Sequence, residues 1–181
     1  MMRYAILLRP LLVIVALICA ATGVAQTPGM VVFGTVRDMN TRDSIPFPVV
    51  LVQEVGSKEP PMPIVSTARG RYEVTITAQK TYLIRYGASG KVTKCVQLEL
   101  QGPSAEDWAY GFGMNIDITL LDSLPGVDYS VLSEPFGITR FNGTTGYYEW
   151  DIEYTRSMAD RQKALLDAYR ERVRQQEWKG R

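Results

Sequence analysis

The chain has 181 residues, 46% of them hydrophobic and 22% charged, with a formal net charge of +1 and no histidine. This is the profile of one modest globular domain with additions. Without histidine the chain lacks the side chain best suited to proton transfer near neutral pH and the commonest zinc ligand, so Ser-His-Asp, Cys-His and HExxH chemistries are excluded. No glycine-rich loop follows a strand and opens a helix, so a nucleotide site is unsupported, and neither cofactor nor metal is expected. The balance favours a non-enzymatic binding or scaffolding protein.

Residues 1–25 have the organisation of a secretory signal peptide. Arg3 and Arg9 precede an apolar run over 11–21, and Gly23 and Ala25 supply the small residues of a cleavage site. The run is too short to span a bilayer, which needs roughly 20 apolar residues. Export to the periplasm or outer-membrane surface is therefore expected, with cleavage before Gln26. Of the two cysteines, Cys19 lies in this segment, so Cys95 has no partner for an internal disulfide and reads as a small buried hydrophobe. Charge is unevenly spread: 26–154 carries 10 Lys/Arg against 15 Asp/Glu, whereas 155–181 carries 8 against 4.

Between 30 and 121, short runs rich in Val, Ile, Tyr and Thr alternate with Gly, Pro, Asn and Asp clusters, which predicts a β-sandwich. Seven strands are expected, at 31–37, 48–53, 64–68, 71–77, 81–86, 92–100 and 112–120. Pro46 and Pro48 lack an amide donor and belong at a strand start or edge. In 71–77, Tyr72, Val74 and Ile76 alternate with polar residues, so one face is buried and one is wet. The last strand carries Phe112, Met114, Ile116, Ile118 and Leu120 on one side, each worth about 1.5–3 kcal/mol on burial by transfer arithmetic. Asp117, on the other side, reads as a solvated strand residue.

Three segments carry a resemblance to a known family: Val32-Phe33-Gly34-Thr35-Val36-Arg37-Asp38, Ile45-Pro46-Phe47-Pro48-Val49-Val50-Leu51-Val52, and Thr67-Ala68-Arg69-Gly70-Arg71-Tyr72-Glu73-Val74. Together they resemble carboxypeptidase regulatory-like domains, small transthyretin-like sandwiches. The resemblance covers about 30–121 and departs from the family at the Pro-rich insertion 54–63. It implies a folding, spacing or docking module of the Gram-negative envelope, with an envelope protein as partner and no catalytic residues to carry over. Transthyretin-like hydrolases use histidines, which this chain lacks.

The remaining candidates lie after residue 100. Trp108, Tyr110 and Phe112 fall at spacing two in a stretch expected to be a loop. Trp108 and Tyr110 can form an aromatic platform for a sugar ring, or the loop can pack its aromatics on the sandwich edge. Carboxylates at Glu106-Asp107 and at Glu149, Asp151 and Glu153 read as solvated. Residues 122–153 are expected to be a surface linker, with Val131, Leu132 and Phe136 docked on the body and a hairpin at Asn142-Gly143 lying outside the sandwich. From 154 to 179, Met158, Leu165, Leu166, Tyr169 and Val173 mark an amphipathic helix. The helix can dock on its own sandwich, or present Arg170, Arg172 and Arg174 to an acidic partner or, peripherally, a membrane surface. Nucleic acid is not an expected partner. The fold expected is thus mainly β, a seven-stranded transthyretin-like sandwich with a C-terminal amphipathic helix. Its function is that of an accessory or docking protein or, alternatively, a carbohydrate-binding module.

Overall fold

Alternation of apolar and polar side chains sets the two inner faces of the molecule. In β4 (Arg71–Ile76), Tyr72, Val74 and Ile76 are buried while Arg71, Glu73 and Thr75 face water, as a period of two requires. The computed structural model describes residues 29–179, so the expected signal peptide lies outside the described residues. One sheet holds β4, β1 (Met30–Asp38), β7 (Phe112–Asn115) and β8 (Ile118–Leu120). The other runs in the order β10 (Tyr147–Trp150), β9 (Ile138–Asn142), β6 (Lys94–Glu99), β5 (Thr81–Gly87), β2 (Val49–Glu54) and β3 (Met62–Ile64). Met30, Val32, Val36, Val74 and Ile76 from the first sheet meet Val50, Ile84, Val96 and Leu98 from the second in one core. The chain is a mainly β sandwich with a C-terminal helix.

The strands follow expectation with three differences. First, the run 112–120 is two strands, so 30–121 holds eight rather than seven. Both halves pair parallel with β1, Met30–Phe33 beside Phe112–Asn115 and Val36–Asp38 beside Ile118–Leu120. Between them the Thr35 amide donates to the Asp117 carboxylate at 2.8 Å instead of to backbone. Gly34 is needed here, because a Cβ on it would stand 2.1 Å from the Ile116 carbonyl oxygen. Asp117 is exposed, yet it completes the ladder where the backbone departs from it.

Second, the run 64–68 does not form one strand. Met62–Ile64 pairs with β2, and Ser66 then makes an isolated bridge to Tyr72 in the other sheet. Pro63 is accommodated because β3 is an edge. Third, the hairpin of β9 and β10 is not outside the sandwich. β9 pairs parallel with β6, Gln97 beside Ile138, and so extends the six-stranded sheet.

A second cluster attaches the helix. α2 (Ile152–Lys179) starts where the Asp151 carboxylate accepts the Tyr154 amide at 2.8 Å, satisfying a free donor of the first turn. Met158, Leu165 and Tyr169 are buried against Leu121, Val131 and Leu132, with Val173 partly covered. This face of the helix is docked on the body of the molecule. The contact also has a polar tie, in which the Tyr169 hydroxyl accepts from the Asn40 amide at 2.6 Å and donates to Asp122 at 3.3 Å. Lys91 pairs with both Asp38 and Asp122 in the same network.

Candidate binding site

The stretch 104–111 is a short helix rather than a loop. Ser104 caps α1 (Ala105–Tyr110), its hydroxyl accepting the Asp107 amide at 3.1 Å and donating to the Asp107 carboxylate at 2.7 Å. Gly111 ends it at φ 79°, a conformation that a side chain resists. Helical geometry separates the two aromatics that strand-like spacing would align. Trp108 turns inward, is 8% exposed, and donates its indole N–H to the Thr77 carbonyl at 3.1 Å. Tyr110 points out at 72% exposure. A platform using both rings is therefore corrected: Trp108 belongs to the core, and Tyr110 alone of the pair is open to a ligand.

Tyr110 nevertheless borders an aromatic cleft that the sequence did not disclose. α1 and the start of β7 form one side, and the turn of the β9–β10 hairpin forms the other, around a volume of about 470 Å³. Tyr147 brings a second exposed ring from the hairpin side, 69% exposed. The base is a group of edge-to-face rings: Phe112 to Tyr148 at 5.1 Å, Phe141 to Tyr148 at 5.5 Å and Phe112 to Phe141 at 6.0 Å between centroids. This arrangement suits the ring quadrupoles and holds the base rigid. The Tyr148 hydroxyl is anchored on the Leu100 carbonyl at 2.6 Å, and burial pushes that phenol above the usual tyrosine range. Asp107 places a carboxylate at the rim. Small residues keep the space open, Gly102, Gly111, Gly113, Gly143 and Gly146 among the lining. Two outward rings over a rigid aromatic base, with one acidic acceptor, can hold a flat ligand that has apolar faces and hydroxyl edges.

The basic residues of the tail are arranged differently from the expectation. Arg170 and Arg174 are exposed but paired within the helix, to Asp167 at 3.5 Å and Glu171 at 2.8 Å. The Arg172 Nε is buried without a hydrogen-bond partner among the described residues. The three do not form one free cationic face. Cys95 is buried, and desolvation pushes its thiol up despite the nearby Arg85, which keeps it protonated and inert. Among the described residues no group of three His, Cys, Asp or Glu side chains could hold a metal ion.

The site's second half was missed because Tyr147 and Tyr148 lie in a segment expected to be outside the sandwich. The available signal was the adjacent tyrosines beside Gly146 in a hairpin.

No protein-family model matches the chain, and no curated protein sequence is significantly similar to it. Among solved structures, a Bacteroides uniformis protein provisionally assigned as carbohydrate-binding is 16% identical, with 64% of this chain and 49% of that one covered and a TM-score of 0.38. Catechol 1,2-dioxygenase of Acinetobacter sp. ADP1 is 15% identical, with 63% and 59% covered and a TM-score of 0.41. The 5-hydroxyisourate hydrolase of Klebsiella pneumoniae is 13% identical, with 49% and 89% covered and a TM-score of 0.32. The matched part spans about half the length of the first two of these chains.

Proposed function

We propose that this chain is an exported, non-enzymatic glycan-binding module of the bacterial envelope, and that the cleft between α1 and the β9–β10 hairpin is its binding site. A regulatory-like sandwich over 30–121 and export through residues 1–25 are parts of the same reading. The observation that carries it is the pair Tyr110 and Tyr147, two large rings left 72% and 69% exposed on opposite sides of one aromatic-based cleft. Exposed aromatics gathered at one concavity mark a recognition surface. Sugar rings present apolar faces to such rings and hydroxyls to a carboxylate such as Asp107.

A glycan array followed by calorimetry tests this. Binding to an envelope or environmental polysaccharide should fall at least tenfold in Tyr110→Ala and in Tyr147→Ala, with melting unchanged because neither ring is buried. Absence of binding to every glycan, or full binding by the double variant, would dismiss the reading.

A second reading, a protein-docking component, is favoured by a different surface. Phe47 lies between Pro46 and Pro48 at φ 46°, in the left-handed region, and is 68% exposed; Val49, two residues on, is exposed as well. The Phe47 amide is held by the Thr67 carbonyl at 3.0 Å. A bulky residue kept in that conformation and turned to water calls for a role outside the fold. Co-purification with one envelope protein that disappears in Phe47→Ser would support docking, and unchanged co-purification would remove it.

A further inference from the structure

The sheet built on β1 has one edge closed and one open. Along β4 the Thr67 amide donates to the Arg71 carbonyl at 2.9 Å and Ser66 bridges to Tyr72, so the chain covers that edge itself. At the other edge, β7 and β8 have β1 as their only strand partner among the described residues. The amides of Phe112 and Ile116 are spent on the Gly29 and Phe33 carbonyls, at 2.8 Å each, so alternation turns those of Gly113 and Asn115 to the open side. An uncovered row of this kind is a template for another strand.

Both faces of this edge are hollow. On the outer face Asn115 and Asp117 line a depression of about 550 Å³, shared with Phe33 and Thr35 of β1 and, beyond them, Arg71 and Glu73 of β4. The same two residues border a cleft of about 430 Å³ on the inner side, where Ile116, Ile118, Phe136, Trp150 and Ile152 make the walls apolar. Phe136, Trp150 and Ile152 remain exposed at its mouth. The Trp150 ring lies against Gly137, where a Cβ would stand 2.8 Å from it, so this wall is seated closely on the sheet. Asp117 is the one charged residue lining the inner cleft. It accepts the Thr35 amide and pairs with no cation among the described residues.

A strand laid beside this edge sends successive side chains to the two faces in turn. We propose that the β7–β8 edge receives an extended peptide of a partner protein, with one large apolar side chain in the inner cleft and a lysine or arginine on either side of it at the outer face, beside Asp117. Backbone pairing supplies affinity in this mode of recognition, and the pockets for alternate side chains supply selectivity. The apolar walls call for the large side chain, and the unpaired Asp117 carboxylate calls for the cation. The excess of 15 Asp/Glu over 10 Lys/Arg in 26–154 acts in the same direction.

Fluorescence anisotropy on the full chain with the labelled peptide Ser-Thr-Lys-Leu-Lys-Thr-Ser tests the proposal. Serine in place of the leucine, or glutamates in place of the lysines, should weaken binding at least tenfold. N-methylation at the leucine and at the two lysines should have unequal effects, one abolishing binding and the other sparing it, because only alternate amides face the edge. Asp117→Asn, which keeps an acceptor for the Thr35 amide, should erase most of the preference for lysine over glutamate, and Trp150→Ala should weaken every leucine peptide. Hydrogen exchange at Gly113 and Asn115 should slow when the lysine peptide binds. No saturable binding up to millimolar peptide, equal affinity for the lysine and glutamate peptides, equal effects of the two N-methylations, or an unchanged preference in Asp117→Asn would overturn it.

Discussion

The hydroxyls of Tyr72 and Tyr86 meet at 2.8 Å in the interior, one ring from each sheet, with ring centroids 5.3 Å apart and planes at 62°. The Tyr72 hydroxyl also donates to the Ile116 carbonyl at 2.8 Å, so the proton between the two phenols comes from Tyr86. Desolvation holds both phenols well above the usual tyrosine range, and both remain protonated through neutral pH.

This order of donors makes the two deletions unequal. Tyr72→Phe strands both the Ile116 carbonyl and the Tyr86 hydroxyl, and should cost about 2–6 kcal/mol at roughly 1–3 for each buried group left unpaired. Tyr86→Phe removes one donor while Tyr72 keeps its carbonyl, so about 1 kcal/mol is expected. Urea denaturation of the two variants checks the order, and a larger loss in Tyr86→Phe would contradict it.

Gly34 should tolerate no side chain. A Cβ would stand 2.1 Å from the Ile116 oxygen, a backbone atom that cannot turn aside. Gly34→Ala should therefore lose on the order of 3 kcal/mol or more, in the range reserved for overpacking and broken ladders. Asp117→Asn keeps an acceptor for the Thr35 amide and should cost about 1 kcal/mol or less, whereas Asp117→Leu should cost more. Thermal melts of the three variants would show the ranking.

Lys94 gives the pH dependence a recognisable sign. Desolvation pulls its ammonium down to about 8 from an ordinary value of 10.5. Between those values the unfolded chain holds a proton that the folded one has released, so this group makes stability rise as pH rises from about 8 toward 10.5. Below pH 8 it opposes folding, by up to about 3 kcal/mol for a shift of that size. Lys94→Met should be the more stable protein at pH 7, and the difference should shrink by pH 10. Chemical denaturation at the two pH values measures it, and a difference independent of pH would refute the assignment.

The helix contact should respond at the acid end. Burial alone would raise the Asp38 carboxyl, but the Lys91 hydrogen bond and the Thr41 and Asn40 amides together hold it below the ordinary 3.8. A lowered carboxylate stabilises the fold above its unfolded value and loses that contribution as pH falls through the folded one. The network of Asp38, Lys91, Asp122 and Tyr169 should thus hold α2 at neutral pH and loosen below about pH 3.8. Tyr169→Phe should reproduce part of this at pH 7, costing about 1–2 kcal/mol. Hydrogen exchange would show it as faster amides over 152–173 with the sandwich unchanged.

Much of this architecture can be read from neighbouring residues alone. Period-two alternation at Tyr72, Val74 and Ile76 and the stripe from Met158 to Tyr169 anticipate their burial, because a regular backbone repeats its exposed side at a set interval. The absence of histidine excludes whole chemistries without reference to shape.

The site depends on contacts between residues far apart in the chain. One turn of helix after Ser104 sends Trp108 into the core and Tyr110 out, although strand spacing would align them. Parallel pairing of β9 with β6 brings Tyr147 to the cleft that Tyr110 borders, and no local pattern specifies which strand a hairpin will join. Lys94 occupies an apolar position in the alternation of β6 and is buried because neighbours from other segments cover it. Periodicity reports which side of an element turns inward, but what lies on that side is decided by packing between elements, whose energy belongs to residues tens of positions apart.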